Sequence, residues 1–202
     1  MTGPTTKPPN ERPSPAREAI FTAATRLFGE RGYTGTTMRD IARAVGILPG
    51  SLYAHIASKD AVLVEIIEGG VDRFNTAVTD VEALDLEPAA AIRAAIRAHL
   101  EIVADSPQRT LIVFHQWRFL DDESRARLLA KRARYEEFFL RTMHAGVEQG
   151  AFDARLDAKI TVLGLLGALN WTPEWFSPEG KATPAEVAEA IADGLLGGML
   201  TR

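Results

Sequence analysis

Between Gly32 and Asp60 the chain is punctuated by helix starts and stops at very short intervals. Thr36-Thr37 precedes a stripe of Met38, Ile41, Ala42 and Val45, and Gly46 ends it. Pro49-Gly50-Ser51 then opens a second short helix carrying Leu52, Tyr53 and Ile56, and Ser58-Lys59-Asp60 opens a longer one, over 61 to about 79. Ser and Thr cap helix N-termini, Pro fits the first helical position, and Gly ends helices. Helices of one or two turns do not hold in water by themselves, so they need bracing by longer neighbours. The brace on the near side is the segment from Ser14-Pro15 to Gly32, where Ile20, Ala24, Leu27 and Phe28 recur at helical spacing. Two short helices about a glycine turn, braced before and after, is the plan of a helix-turn-helix.

The rest of the chain reads as helix throughout. Pro88 opens a helix to about Asp105, Ser106-Pro107 one to near Leu120, and Asp121-Asp122-Glu123 a long one ending at Gly150. Asp157 caps a segment over 158–175, and Thr183-Pro184-Ala185-Glu186 forms a capping box for the last helix. No alternating run with hairpin turns occurs, so the expectation is an all-α protein of about nine helices. Residues 1–14, rich in Pro and Thr, read as a disordered arm. Lys7 and Arg12 would let it touch a minor groove, although a tail without a role is the simpler reading. Residues 15–60 then form the helix-turn-helix domain, and 61–202 a second helical domain.

Charge narrows the function. The whole chain is acidic, with a net charge of −4. The stretch from Arg17 to Lys59 is not: Arg17, Arg26, Arg31, Arg39, Arg43 and Lys59 face only Glu18, Glu30 and Asp40. A local cationic excess on a helix-turn-helix suits phosphate contact. With no cysteine, thiolate catalysis, disulfides and Cys-based metal sites are excluded, and a cytoplasmic location is expected. No stretch has the run of apolar residues a membrane span needs. There is no phosphate-binding loop, nucleophile elbow or metal-ligand cluster, and His55, His99, His115 and His144 are scattered. No catalytic residue, metal or cofactor is expected.

The stretch AIFTAATRLFGERGYTGTTMRDIARAVGILPGSLYAHIASKDAVL resembles the N-terminal domain of the TetR family of regulators over its whole length. The LF…RGY…TT run, the DIA-x2-VG turn, the GSLYxH helix and the SKD start all match at the family's spacing. The resemblance implies a homodimeric, ligand-responsive repressor on a palindromic operator. It implies that Thr37 caps the second helix and offers its hydroxyl or N–H to a phosphate, and that Gly50, Ser51 and Tyr53 lie on the recognition helix. It also implies that Tyr53 and His55 reach the DNA backbone and that Lys59 is a further phosphate contact. Arg39 is a candidate contact from the second helix, while Ile47, Pro49 and Ala54 could meet thymine methyls. Leu48-Pro49 departs from the small or polar residues more usual there. The plainer readings are that the Tyr53 ring is partly core and that Arg26 and Arg31 are solvated.

Such a repressor needs a dimer interface and a ligand cavity. The last two helices carry apolar stripes beside small residues: Val162, Leu163, Leu166 and Leu169 with Gly164, Gly167 and Ala168, then Val187, Ile191, Leu195 and Met199 with Gly194, Gly197 and Gly198. Faces of that kind suit an isologous four-helix interface. For the cavity, the candidates are Phe114, Trp117, Arg118, Phe138, Asn170, Trp171 and Trp175, because ligand pockets combine aromatic walls with a few polar groups. The segment ALNWTPEWFSPEG resembles the branch of the family that controls fatty-acid and sterol catabolism and responds to acyl-CoA thioesters. That resemblance implies basic residues at the pocket mouth, with Arg118, Arg134 and Arg141 as candidates. The alternative is a drug or xenobiotic as ligand, with an efflux or detoxification gene as target.

Overall fold

The computed structural model describes residues 14–200; the proposed arm, with Lys7 and Arg12, lies outside them apart from Ser14. Ten α-helices follow one another: α1 (Pro15–Arg31), α2 (Met38–Val45), α3 (Pro49–Tyr53), α4 (Lys59–Glu82), α5 (Pro88–Asp105), α6 (Pro107–His115), α7 (Asp122–Glu148), α8 (Ala158–Asn170), α9 (Thr172–Trp175) and α10 (Pro184–Leu196). A 3-10 turn, Gln116–Phe119, separates α6 from α7, and α9 is a single turn. No strand forms among the described residues; one isolated antiparallel bridge joins Phe152 and Leu200. The all-α expectation holds, with nine helices longer than one turn.

The chain divides between Val62 and Leu63 into two compact units. In the first, α1 packs on α2 and α2 on α3, over a core of Ile20, Leu27, Phe28, Ile41 and Leu52. The short helices begin where the capping residues stand. The Thr37 side chain accepts from the Asp40 N–H while the Asp40 carboxylate accepts from the Thr37 N–H, closing a capping box. Gly46 ends α2 with φ 77°, a left-handed conformation that glycine adopts without strain. Thr36, paired with Thr37 in the sequence reading, has a different job. It is fully buried, and its hydroxyl bridges the Leu27 and Gly32 carbonyls at 3.1 and 3.0 Å, closing the end of α1.

In the second unit α10 lies along α5, burying Ala188, Ala192 and Leu196, and α7 packs on α5 and α8. Two sequence-based boundaries are corrected. The helix expected over 158–175 stops at Asn170, because Pro173 has no N–H for the Leu169 carbonyl; the Thr172 hydroxyl donates to it instead, at 2.7 Å. The helix expected to run to about Leu120 ends at His115 and tightens into the 3-10 turn. The expected stripes also divide. Val162, Leu166 and Leu169 are buried inside the unit, whereas Ile160, Leu163, Gly164, Gly167, Ala168 and Trp171 of α8 are exposed. On α10, Gly194, Gly197 and Gly198 are exposed and Val187, Ile191 and Leu195 half-buried.

Candidate nucleic-acid interface and ligand cavity

In the first unit the candidate DNA residues share an exposed surface. Leu48, Pro49, Gly50, Ser51, Tyr53, Ala54 and His55 all face solvent, with Leu52 alone among them fully buried as the anchor. Tyr53 is 56% exposed and Leu48 76%, so the reading of Tyr53 as partly core is set aside. The end of the segment is tied down by Arg17, whose guanidinium donates to the His55 carbonyl at 2.8 Å. Thr37 stands exposed at the start of α2, and its hydrogen bonds hold the Asp40 carboxyl below its ordinary pKa. Arg39 is exposed, and Arg43 meets only Asp40, at 3.7 Å. Both stand at the surface with their charge largely uncompensated.

Lys59, expected as a phosphate contact, is engaged within the fold. Its ammonium donates to the Tyr33 and Thr36 carbonyls, both at 2.9 Å, and lies 4.3 Å from the centre of the Tyr33 ring. The side chain staples the turn after α1 to the start of α4, and without it the Thr36 carbonyl would lack a partner. The Tyr33 hydroxyl donates to the Asp60 carboxylate, and burial, with that acceptor, raises the phenol pKa. The basic residue at the start of α4 thus holds the fold of the first unit together.

In the second unit an aromatic cluster surrounds a small cavity. Its lining is Val71 and Phe74 from α4, Val113 and Phe114 from α6, Trp117 from the 3-10 turn, Arg132 and Tyr135 from α7, and Leu166 and Asn170 from α8. The volume is about 30 Å³. That is roughly the share of one water molecule in the liquid, against ~300–1,000 Å³ for occupied small-molecule sites. Any ligand must therefore part its walls. Phe74 stacks on Phe114 at 5.5 Å and meets Tyr135 edge-on at 5.6 Å. The Trp117 indole N–H donates to the Val113 carbonyl at 2.6 Å, which fixes that ring at the rim.

Behind the wall lies His99, fully buried, with Nδ1 2.9 Å from the Tyr135 hydroxyl and its ring 4.8 Å from Phe74 and 5.9 Å from Phe114. Burial pushes its pKa down to about 3, and attraction to the Leu169 carbonyl offsets only part of that. The ring is neutral, and Nε2 has no hydrogen bond of ordinary geometry. Burial likewise raises the Tyr135 pKa. The phenol and imidazole are a neutral pair.

Of the seven ligand candidates, Phe114, Trp117 and Asn170 line the cavity and four do not. Phe138 is core, packed edge-on against Phe139 at 5.1 Å. Arg118 lies over the neighbouring Phe119 ring. Trp171 and Trp175 are 59% and 54% exposed, because the break before Pro173 turns them outward, onto and beside the exposed stripe of α8. Phe74, His99 and Arg132 were missed. Phe74 sits on the helix after the helix-turn-helix, where no local pattern singles it out, and Arg132 lies in an arginine-rich run where spacing marks none of its members.

A braced pair of short helices presenting an exposed row of residues, joined to a helical unit with an aromatic cavity, defines the helix-turn-helix regulators that sense small molecules. Comparison with known proteins gives the family. Residues 20–66 match the model for bacterial regulatory proteins of the tetR family, and residues 85–199 that for the tetracyclin repressor-like C-terminal domain. The chain belongs to the TetR family of bacterial regulators, which bind DNA and are not enzymes. It is 30% identical to the transcriptional repressor KstR2 of Rhodococcus jostii over 184 residues, covering 91% of this chain and 90% of that protein. The solved structure of AibR in complex with isovaleryl coenzyme A and operator DNA is 30% identical, with TM-score 0.79, over 92% of this chain and 98% of AibR. The ketosteroid regulator KstR2 of Mycobacterium tuberculosis, 23% identical, shares the fold at TM-score 0.87 over 95% and 98% of the two chains. No described helix is long and apolar enough to cross a membrane.

Proposed function

We propose that the protein is a transcriptional repressor that binds a two-fold operator as a homodimer and leaves it when an acyl-CoA thioester occupies the aromatic cavity. The observation that carries the DNA reading is the exposed row from Leu48 to His55, set on the single buried anchor Leu52. Pro49, Gly50, Ser51, Tyr53 and His55 meet the duplex, and Thr37 and Arg39 position it through phosphates. The dimer forms through α8 and α10. Ile160, Leu163, Gly164, Gly167 and Trp171 make a solvent-facing apolar row at helical spacing, which a second copy would cover. A Cβ at Gly164, Gly167 or Gly194 would meet nothing within the chain, so these positions leave the backbone open to close approach.

The thioester reading is supported by the likeness to AibR and by the cavity's aromatic walls. Release follows from differential affinity: the ligand binds the conformation whose cavity is parted, and that conformation holds DNA less well. α4 is the physical link, a single helix that starts at the Lys59 staple and carries Val71 and Phe74 of the cavity wall. The test is a mobility shift on the upstream promoter region, with and without acyl-CoA esters. A salt-sensitive shift reversed by thioesters and not by free CoA supports the whole reading. A shift that no thioester reverses removes the acyl-CoA assignment and favours a drug or xenobiotic. Failure to select any DNA from a random pool removes the repressor.

A further inference from the structure

α7 carries a run of cations, and almost all are spoken for. Arg125 pairs with Asp122 at 3.6 Å, Arg127 with Glu68 at 3.8 Å, and Lys131 with Glu68 at 2.8 Å and Asp72 at 3.0 Å. Arg141 pairs with Glu82 and Glu137, and Arg134 donates to the Thr79 hydroxyl at 3.2 Å. Arg132 differs. Among the described residues no carboxylate comes within ion-pairing distance of it, and its guanidinium lies 5.9 Å from the centre of the Trp117 ring. It is also the one cation that lines the cavity.

The rest of the lining sharpens this. No carboxylate borders the cavity, so Arg132 has no counter-charge there. The other polar side-chain groups are the Trp117 indole N–H, engaged by the Val113 carbonyl, the Tyr135 hydroxyl, engaged by His99, and the Asn170 amide, which makes no hydrogen bond within the described residues. An uncompensated guanidinium and a free amide lining the same aromatic cavity offer donors to an anionic oxygen. The basic residues named from sequence for that role are engaged elsewhere: Arg118 over Phe119, Arg134 at Thr79, Arg141 with two glutamates.

We infer that Arg132 is the anion-binding residue of this cavity, and that its ligand is an amphiphile whose apolar part enters between the aromatic walls while an anionic oxygen meets Arg132 and Asn170. The inference rests on the reading of the cavity as the effector site. It goes further by fixing the charge of the ligand and the side chain that reads it. The anionic oxygen can belong to a carboxylate or to the phosphate of a thioester's carrier. In either case ligand arrival takes the guanidinium from the Trp117 face, which gives binding an optical signal in Trp117.

The test uses the full chain with three probes of one acyl length: the CoA thioester, the free acid, and the uncharged N-acetylcysteamine thioester. Binding is followed by tryptophan fluorescence and DNA release by anisotropy of a labelled operator. The wild type is expected to prefer one of the anionic probes over the uncharged one by about 10–100-fold, the range of a charged hydrogen-bonded pair. Preference for the CoA ester identifies a phosphate, and preference for the acid identifies a carboxylate. Arg132→Gln should abolish the preference. Arg132→Lys should restore part of it, and Arg134→Gln should behave as wild type. Arg132 is exposed, so a melting curve matching wild type is expected and checks that the variants are folded. Arg132→Gln retaining the full preference, or a wild type without one, overturns the inference and leaves the effector site standing. If no probe binds the wild type, the effector reading fails and this inference with it.

Discussion

The two units of this molecule place function on opposite sides of their cores. In the first, the residues proposed to meet DNA are outside, and the fold is held by a separate set: Leu52, Thr36, Lys59 and Tyr33. In the second, the residues proposed to meet a ligand are the core itself. Phe74 and Tyr135 are buried, pack against His99 and line the cavity at once. Stability and function are therefore separable in the first unit and entangled in the second. A surface that reads DNA needs only to be rigid and exposed, whereas a pocket that senses a ligand must give way when the ligand arrives.

Neighbouring positions on α3 provide the largest test. Leu52→Ala empties a fully buried site and should cost about 2–5 kcal/mol in chemical denaturation. Tyr53→Ala removes an exposed ring and should change stability by less than about 0.5 kcal/mol. Its operator affinity should nevertheless fall by about tenfold or more, read by anisotropy. If Tyr53→Ala unfolds the protein, the division of labour in the first unit is wrong. Lys59 comes next. Lys59→Met strands the Thr36 carbonyl and takes one of two donors from the Tyr33 carbonyl, and should cost about 1–3 kcal/mol. A residue that served only a phosphate would instead leave stability alone and reduce the salt slope of DNA binding by about one.

The same division explains what the sequence made legible. Caps, turns and short helices are local, so Thr37, Gly46, Pro49 and the Thr183 capping box could be placed from adjacent residues. The exposed row from Leu48 to His55 followed from them, because one buried anchor fixes the outward direction of its neighbours. The cavity is built from four separated helices, and no local pattern says that Phe74, Phe114, Tyr135 and Leu166 meet. Tryptophan content pointed to Trp171 and Trp175, but aromatic residues suit a surface awaiting a partner as well as a pocket. Burial and pairing separated those uses: the two tryptophans are exposed, and Arg132 stands out only after each neighbouring cation has found its partner.

His99 tests the entanglement in the second unit. Its pKa is near 3 in the folded chain and about 6.5 when unfolded, so between those values the unfolded state holds the extra proton. Stability is thus complete above about pH 6.5 and declines as the pH falls toward 3. From pH 7.5 to pH 5 the loss from this residue should be roughly 2 kcal/mol. His99→Phe should flatten that slope relative to wild type in denaturant midpoints measured across the range. It should also alter ligand affinity, because the Tyr135 hydroxyl then loses its partner at the cavity wall. A variant that flattens the slope and binds every ligand as before would show that the pair is structural only.

The smallest expected effect concerns the helix that joins the two regimes. α4 contains Gly69-Gly70, two poor helix formers in succession, with opposite surroundings. A Cβ on exposed Gly69 would meet nothing, so Gly69→Ala should stabilise the protein by up to about 1 kcal/mol through the backbone alone. A Cβ on Gly70 would lie 2.2 Å from Val113 Cγ2, on a residue that lines the cavity. Gly70→Ala must push α6 away from α4 and should destabilise, by about 1–3 kcal/mol. Melting curves of the two variants check the signs. Their DNA release curves check whether α4 carries the ligand's signal. A stiffer helix that leaves the fold intact should shift the ligand concentration needed for release in Gly69→Ala. If that concentration does not move, the compliance of the second unit lies in its aromatic walls and not in α4.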